Sequence, residues 1–262
     1  MKIIGIIPAR MGSSRFPGKP MAYINGIPMI GHVWHRCKMS KKLEEVYIAT
    51  CDREIFDYIQ SIGGKALMTK ASHERCTERT EEALDIIIQQ TKQTPDIVVM
   101  IQGDEPMTTP EMIDDAISPM LRNSSINVVN LMATITNRKD MEDPNEIKVV
   151  VDKHMNALYF SREPIPSNKK FSGEITAYKQ ICIIPFRAAY LKQFMQMPPT
   201  LLEKIESIDM MRILENGDKV KMVMTQAVSY SVDTTEDLIR VEKIMKIDKT
   251  TAMYSKLIPT NH

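Results

Sequence analysis

Apolar positions along this chain fall into short unbroken runs separated by amphipathic stretches. Residues 2–9, Lys-Ile-Ile-Gly-Ile-Ile-Pro-Ala, show no in–out alternation, as a strand covered on both faces requires. The run empties into Arg10-Met-Gly-Ser-Ser-Arg-Phe-Pro-Gly-Lys-Pro, a loop by its Gly, Ser and Pro content. Helical spacing follows over residues 28–40, then a strand over 45–50. Asp52 is suited to N-cap a helix through Ile62, which Gly63-Gly64 ends. A short strand at 65–69, a helix at 77–91 and an apolar strand at 96–102 complete the series. Strand and helix thus alternate with short connections through about 100 residues, the pattern of parallel strands with helices on both faces. The fold class predicted is α/β, a doubly wound, mostly parallel sheet.

From Ser125 the rhythm changes. Strands are predicted at 128–136, 147–151, 157–161 and 177–186, with Pro- and Lys-containing loops between them. A helix over 200–216 stops at Gly217, a strand covers 220–226 and a closing helix covers 234–247. This reads as a smaller mixed α+β insertion in a single domain of residues 1–248. The Ser-, Lys- and Gly-containing stretch between Pro166 and Tyr178 reads as a mobile lid, and residues 249–262 as a loose tail.

Composition narrows the classes. With 34 Lys+Arg against 33 Asp+Glu in 262 residues, the net charge of +1 argues against a nucleic-acid or anionic-membrane binder, which needs a basic excess. A content of 43% hydrophobic and 26% charged residues is that of an ordinary globular protein. The first apolar run is broken at Arg10, far short of the roughly 20 residues of a membrane span, and lacks a signal-peptide layout. Cys37, Cys51, Cys76 and Cys182 show no C-x-x-C pair or zinc spacing, so reduced thiols and a cytoplasmic location are expected. The 21 methionines have no period and read as core filler.

The chemistry concentrates at strand ends, where doubly wound sheets bind ligands. Arg10, Arg15 and Lys19, interleaved with Gly12, Ser13, Ser14 and Gly18, make an anion cradle. It is neither a Walker A loop, since five residues separate Gly12 from Gly18 and Pro20 follows Lys19, nor G-x-G-x-x-G. Gln102-Gly-Asp-Glu-Pro ends a strand. Asp104 beside phosphates suits a Mg²⁺ ligand, while Glu105 could cap the next turn. Val232-Asp-Thr-Thr-Glu-Asp-Leu reads two ways: Asp233 or Thr234 as an N-cap with first-turn acids, or Asp233 as a second metal carboxylate if it faces Asp104. His32 and His35, three apart on a helix, lack a third ligand and read as core or surface histidines, and Trp34 as core.

These segments, in this order, resemble the CTP:3-deoxy-manno-octulosonate (Kdo) cytidylyltransferases. The resemblance spans nearly the whole chain. It is carried by Ile7-Pro-Ala-Arg-Met-Gly-Ser-Ser-Arg-Phe-Pro-Gly-Lys-Pro, Gly26-Ile-Pro-Met-Ile, Ala49-Thr-Cys-Asp and Gln102-Gly-Asp-Glu-Pro. Asn145-Glu-Ile-Lys-Val-Val, Ala157-Leu-Tyr-Phe-Ser-Arg-Glu-Pro-Ile-Pro, Leu202-Glu-Lys-Ile-Glu-Ser and Val232-Asp-Thr-Thr-Glu-Asp-Leu extend it. It implies a nucleotide-diphospho-sugar transferase-like fold and a homodimer, with residues about 152–200 serving acceptor binding and dimerisation. The implied reaction is Mg²⁺-dependent transfer of CMP from CTP to a sugar acid, with release of pyrophosphate, for surface-polysaccharide assembly. By the same resemblance Arg10, Ser13, Arg15 and Lys19 would hold the triphosphate, with Pro8 and Ala9 also binding the nucleotide. Thr50, Asp52, Thr77, Arg79 and Gln102 would lie near the cytidine, and Asp104 and Asp233 would bind Mg²⁺. Arg10 and Lys19 join those two carboxylates as the implied catalytic set. Arg162 would face the acceptor carboxylate, with Gln180, Asp209 and Met210 nearby.

The departures cluster. The family's Asp-His-x-Ser-Gly-Thr-Asp-Arg is Ser72-His-Glu-Arg-Cys-Thr-Glu-Arg here, and Thr-Asp-Asp is Thr50-Cys-Asp. His-Ile-Gly-Ile-Tyr is Gln180-Ile-Cys-Ile-Ile, and a late Glu-Gln is Asp209-Met. Replacement of His, Tyr and Gln by Gln180, Ile184 and Met210 suggests an acceptor other than ordinary Kdo, such as a modified sugar acid or a phosphonate. Changes at 49–52 and 73–79 leave another nucleoside triphosphate as an alternative.

Overall fold

A computed structural model describes residues 1–13 and 15–255. The chain forms two compact units, Met1–Asp114 with the chain from Val228 onward, and Asp115–Ala227. The first opens with β1 (Ile3–Ala9), a 3₁₀ turn Lys19–Met21, the short pair β2 (Tyr23–Ile24) and β3 (Ile27–Pro28), and α1 (Met29–Lys38). It continues through β4 (Glu45–Thr50), α2 (Arg53–Ser61), β5 (Lys65–Met68), α3 (Cys76–Thr91) and β6 (Ile97–Ile101). Within this unit the strands lie parallel in the order β6-β1-β4-β5. Every residue of β1 and of β6 is buried, which is why both read as unbroken apolar runs.

The chain passes through α4 (Pro110–Arg122) into β7 (Val129–Thr134), α5 (Arg138–Glu142), β8 (Lys148–Val151) and β9 (Ala157–Ser161). Then come β10 (Tyr178–Ile181), β11 (Ile183–Arg187), α6 (Ala188–Gln196), α7 (Leu201–Glu206), α8 (Met210–Glu215) and β12 (Lys221–Thr225). The second unit's sheet runs β12-β7-β10-β8-β9, antiparallel except for the parallel β12–β7 pair. Back in the first unit, α9 (Thr235–Met245) and α10 (Lys249–Tyr254) close the described chain. No helix among the described residues is long and apolar enough to cross a membrane.

Four expectations are corrected. The predicted 200–216 helix is two short ones, broken where Ser207 turns left-handed at φ 55°. Buried Arg212 and Glu203 clamp the halves with contacts of 2.7 and 2.5 Å. The predicted 177–186 strand divides at Cys182 into β10 and β11. Helices α4, α5 and α6 fill stretches where no helix is predicted. The segment after Lys249 is not loose through Tyr254: Asp248 caps α10 by accepting from Thr251 N at 2.7 Å, and Tyr254 is 2% exposed against α1. The rest of the predicted tail, 256–262, lies outside the described residues.

Candidate active site

The loop after β1 is shaped by its own backbone and by a carboxylate from β4's end. Gly18 N–H donates to Met11 O at 2.9 Å, and Gly18 sits at φ 75°, which a side chain rarely tolerates. Phe16 N–H donates to Ser13 Oγ at 3.3 Å. Asp52 occupies the N-cap position of α2, as expected, yet its side chain makes no cap bond. Instead Oδ2 accepts from Met11 N at 2.8 Å, anchoring the loop.

Lys19, at the end of that loop, reaches two carboxylates at once. Its Nζ donates to Asp104 Oδ2 at 2.6 Å, Asp233 Oδ1 at 3.0 Å and Val232 O at 3.1 Å. Arg15 Nη2 also donates to Asp233 Oδ1, at 3.0 Å. Val232 N–H donates to Asp104 O at 2.9 Å, tying the α9 approach to the loop after β6. Beneath them Ile24, Met29, Met107, Val232, Val241 and Met245 form one apolar cluster, with Phe16 packed against it. One core therefore fixes the segments bearing Lys19, Asp104 and Asp233. Burial alone would lower the Lys19 pKa, but Asp104 and Asp233 outweigh it and the net shift is upward. Asp233 thus faces Asp104 across a shared ammonium, while Thr234 is the N-cap, accepting from Asp237 N. Glu105 does not face this cluster: it is 5% exposed and accepts from Ser229 Oγ at 3.1 Å.

A cavity of about 270 Å³ opens beside this cluster. Pro8, Ala9, Arg10, Ser13, Arg15 and Lys19 line one side, and Arg79, Gln102 and Asp104 contribute further wall. Gly103 permits the close approach of the strand ends: a Cβ there would stand 3.1 Å from both Pro8 O and Ile30 Cδ1. Residues 73–76, lying just before and at the start of α3, complete the wall. From this stretch, tied to base choice by the sequence, only Thr77 and Arg79 are expected as ligands. The spacing of Arg75 and Arg79, one helical turn apart, was the available signal. Arg10 Nη1 donates to His73 O at 3.3 Å, and His73 Nε2 donates to Glu82 Oε2 at 2.5 Å. Arg79 is 3% exposed. Its Nη1 donates to Thr69 Oγ1 at 2.5 Å and to Lys70 O at 3.2 Å, while its buried Nη2 has no partner.

Three residues expected near the cytidine do not line the cavity. Thr50 and Thr77 are fully buried, and Asp52 is the loop anchor described above. Thr50 Oγ1 accepts from Asp52 N–H at 3.1 Å. The residues expected to meet the acceptor lie in the second unit. Arg162 donates to Glu206 O (2.7 Å), Pro144 O (2.8 Å) and Ser207 O (3.4 Å), so its guanidinium braces a loop. Gln180 is 8% exposed and donates to Asn130 Oδ1 at 2.5 Å. Ile184 and Met210 are core residues, and Asp209 holds the N-cap position of α8. The residues at 180, 184 and 210 therefore have structural occupations within the second unit.

No group of three or more potential metal-ligating side chains occurs among the described residues. Asp104 and Asp233 nonetheless fit a cation. Both turn an oxygen to the same positive charge, and Asp104 Oδ1 is buried without a hydrogen-bond partner. Two hard carboxylates beside the cationic loop suit Mg²⁺, which takes few protein ligands and completes its shell from other oxygens and water.

The chain matches the profile of the family described as cytidylyltransferase over residues 4–223. It belongs to that family. Among its relatives, the 3-deoxy-manno-octulosonate cytidylyltransferase of Thermodesulfovibrio yellowstonii is 42% identical over 252 residues, covering 94% of this chain and 98% of the relative. The enzyme of that name from Geobacter sulfurreducens is 39% identical over 256 residues, covering 94% and 100%. A solved CMP:2-keto-3-deoxy-manno-octonic acid synthetase, complexed with CTP, shares 34% identity at a TM-score of 0.85, over 94% of this chain and 99% of its own. The cytidylyltransferase is thus a nucleotidyltransferase enzyme with the α/β fold of that neighbour. A thymidylyltransferase structure from Bacillus anthracis, 16% identical at a TM-score of 0.65, shares the fold alone.

Proposed function

We propose that this cytidylyltransferase transfers CMP from CTP to 3-deoxy-manno-octulosonate. A sugar hydroxyl attacks the α-phosphorus, the bond to the β-phosphate bridging oxygen breaks, and pyrophosphate leaves. The observation that carries the reading is the cavity itself: Arg10, Arg15, Lys19 and Arg79 converge on it, and the pair Asp104 and Asp233 borders them.

Negative charge gathers on the phosphoryl oxygens as the reaction proceeds, so fixed cations supply most of the stabilisation. Arg10 and Arg15 orient the triphosphate along the loop after β1, which Asp52 holds in shape. Arg79, held through Nη1 by Thr69 and Lys70, would offer its unpartnered Nη2 to the nucleotide. Asp104 and Asp233 would hold Mg²⁺, whose chemistry when bound is to neutralise the reacting phosphate oxygens. Arg162 acts on the acceptor side by fixing a loop rather than by touching a carboxylate. Residues 166–178 remain proposed as a lid. A cytoplasmic setting accords with four cysteines that form no disulfide, and a homodimer accords with the apolar exposure discussed below.

Pyrophosphate release with CTP and Mg²⁺ tests the reading, comparing Kdo with modified sugar acids and phosphonates, and CTP with other nucleotides. Release is expected with Kdo and CTP. Silence with Kdo beside turnover of another acceptor would restore the rebuilt-pocket alternative.

A further inference from the structure

Lys19 stands where a metal ion would otherwise be drawn. Its ammonium lies 2.6 Å from Asp104 and 3.0 Å from Asp233, with Val232 O at 3.1 Å closing a third side. Its side chain is only 12% exposed, so this is an enclosed position rather than a passing surface pair. Arg15 adds a second cation on Asp233 Oδ1. Two carboxylates converging on one point repel unless something positive sits between them. A divalent ion arriving alone would meet the ammonium already in contact with both acids.

The same lysine lines the nucleotide cavity. Its four-carbon stem is flexible, and its charge is a compact point that can exchange one anion for another. A triphosphate laid along the loop after β1 offers that ammonium, and the Arg15 guanidinium, a more highly charged partner than either carboxylate. Moving Lys19 onto it would bare Asp104 and Asp233, including the buried Asp104 Oδ1 that has no partner.

We infer that Lys19 is a stand-in cation that keeps the Asp104–Asp233 site closed to free divalent ions until the nucleotide draws it away. The inference rests on the reading of these two aspartates as the metal carboxylates. Metal and nucleotide binding are then coupled through one side chain, and each strengthens the other. The device prevents the paired acids from being loaded with the wrong ion before substrate arrives.

The test is Mn²⁺ binding to the full-length protein, followed by isothermal titration calorimetry and by the electron-spin-resonance signal of free Mn²⁺. Nucleotide-free wild type should bind Mn²⁺ at least about tenfold more weakly than Lys19→Met, which keeps the stem and removes the charge. Adding Asp104→Asn to Lys19→Met should abolish the gain. Equal affinities in wild type and Lys19→Met, or a gain that survives Asp104→Asn, would overturn the proposal. Should Lys19→Met fail to fold, wild type decides alone: its Mn²⁺ affinity without nucleotide must be at least about tenfold below that of its CTP complex, after correction for Mn²⁺ held by free CTP. Equal affinities overturn the stand-in role. Asp104→Asn leaving Mn²⁺ in the CTP complex undisturbed overturns the underlying metal assignment instead.

Discussion

Asp104 does three things at once: its Oδ2 pairs with Lys19, its main-chain oxygen receives Val232 N–H, and its Oδ1 is left without a partner. Asp104→Ala should therefore lower kcat by at least about 10²-fold, the scale of losing a principal electrostatic stabiliser. Steady-state pyrophosphate release measures it, and near-normal turnover would remove Asp104 from the site. Arg79 lines the cavity, its Nη1 held by Thr69 and Lys70 while its buried Nη2 has no partner. Arg79→Met should raise the KM for CTP about tenfold or more while changing kcat less, from losing a charged hydrogen bond of about 1.5–3 kcal/mol. An unchanged KM would make Arg79 a purely structural brace between α3 and the end of β5. Both residues were legible in the sequence because their motifs carry them. Asp52, Gln180 and Met210 do not line this cavity, because a motif fixes residue type but not which way a side chain turns.

At the scale of elements, α10 shows what a local pattern leaves out. Six residues cannot hold a helix by propensity alone. This one persists because buried Arg36 donates to Tyr254, Thr251 and Asp248, and to the carbonyls of Met107 and Thr108. His32 completes the junction. Ile24 O, 2.7 Å from Nε2, can only accept, so Nε2 carries the proton and Tyr254 OH donates to Nδ1 at 2.6 Å. Burial, aided by the Arg36 charge, lowers the His32 pKa from 6.5 to about 4. The unfolded chain then binds more protons than the folded one between those values. Stability should fall as pH drops from about 6.5 toward 4, by roughly 3 kcal/mol in all. Urea midpoints across that range would show it, and His32→Gln should flatten the His32 part of the slope. An identical slope in the variant would assign the acid sensitivity elsewhere.

For the molecule as a whole, the second unit exposes Leu158 (60%), Leu201 (69%) and Ile205 (65%) on β9 and α7, which Tyr159 OH joins by donating to Glu206 at 3.1 Å. Such exposure suits a subunit interface. Light scattering should give about twice the chain mass of 29.9 kDa, and Ile205→Glu should shift it toward the monomer. A wild-type monomer at working concentration would discard the homodimer. The β–α alternation of the first unit, the cationic loop and the acidic strand end are readable from residue order alone, because each is a local pattern of burial, turn chemistry or charge. The fold alone set Asp233, 129 positions beyond Asp104, against the same ammonium. It also decided that Asp52 anchors a loop, that Gln180 answers Asn130, and that the supposed tail is a docked helix. Each depends on what burial brings together from distant parts of the chain, and the partner, not the residue's own neighbours, sets the role.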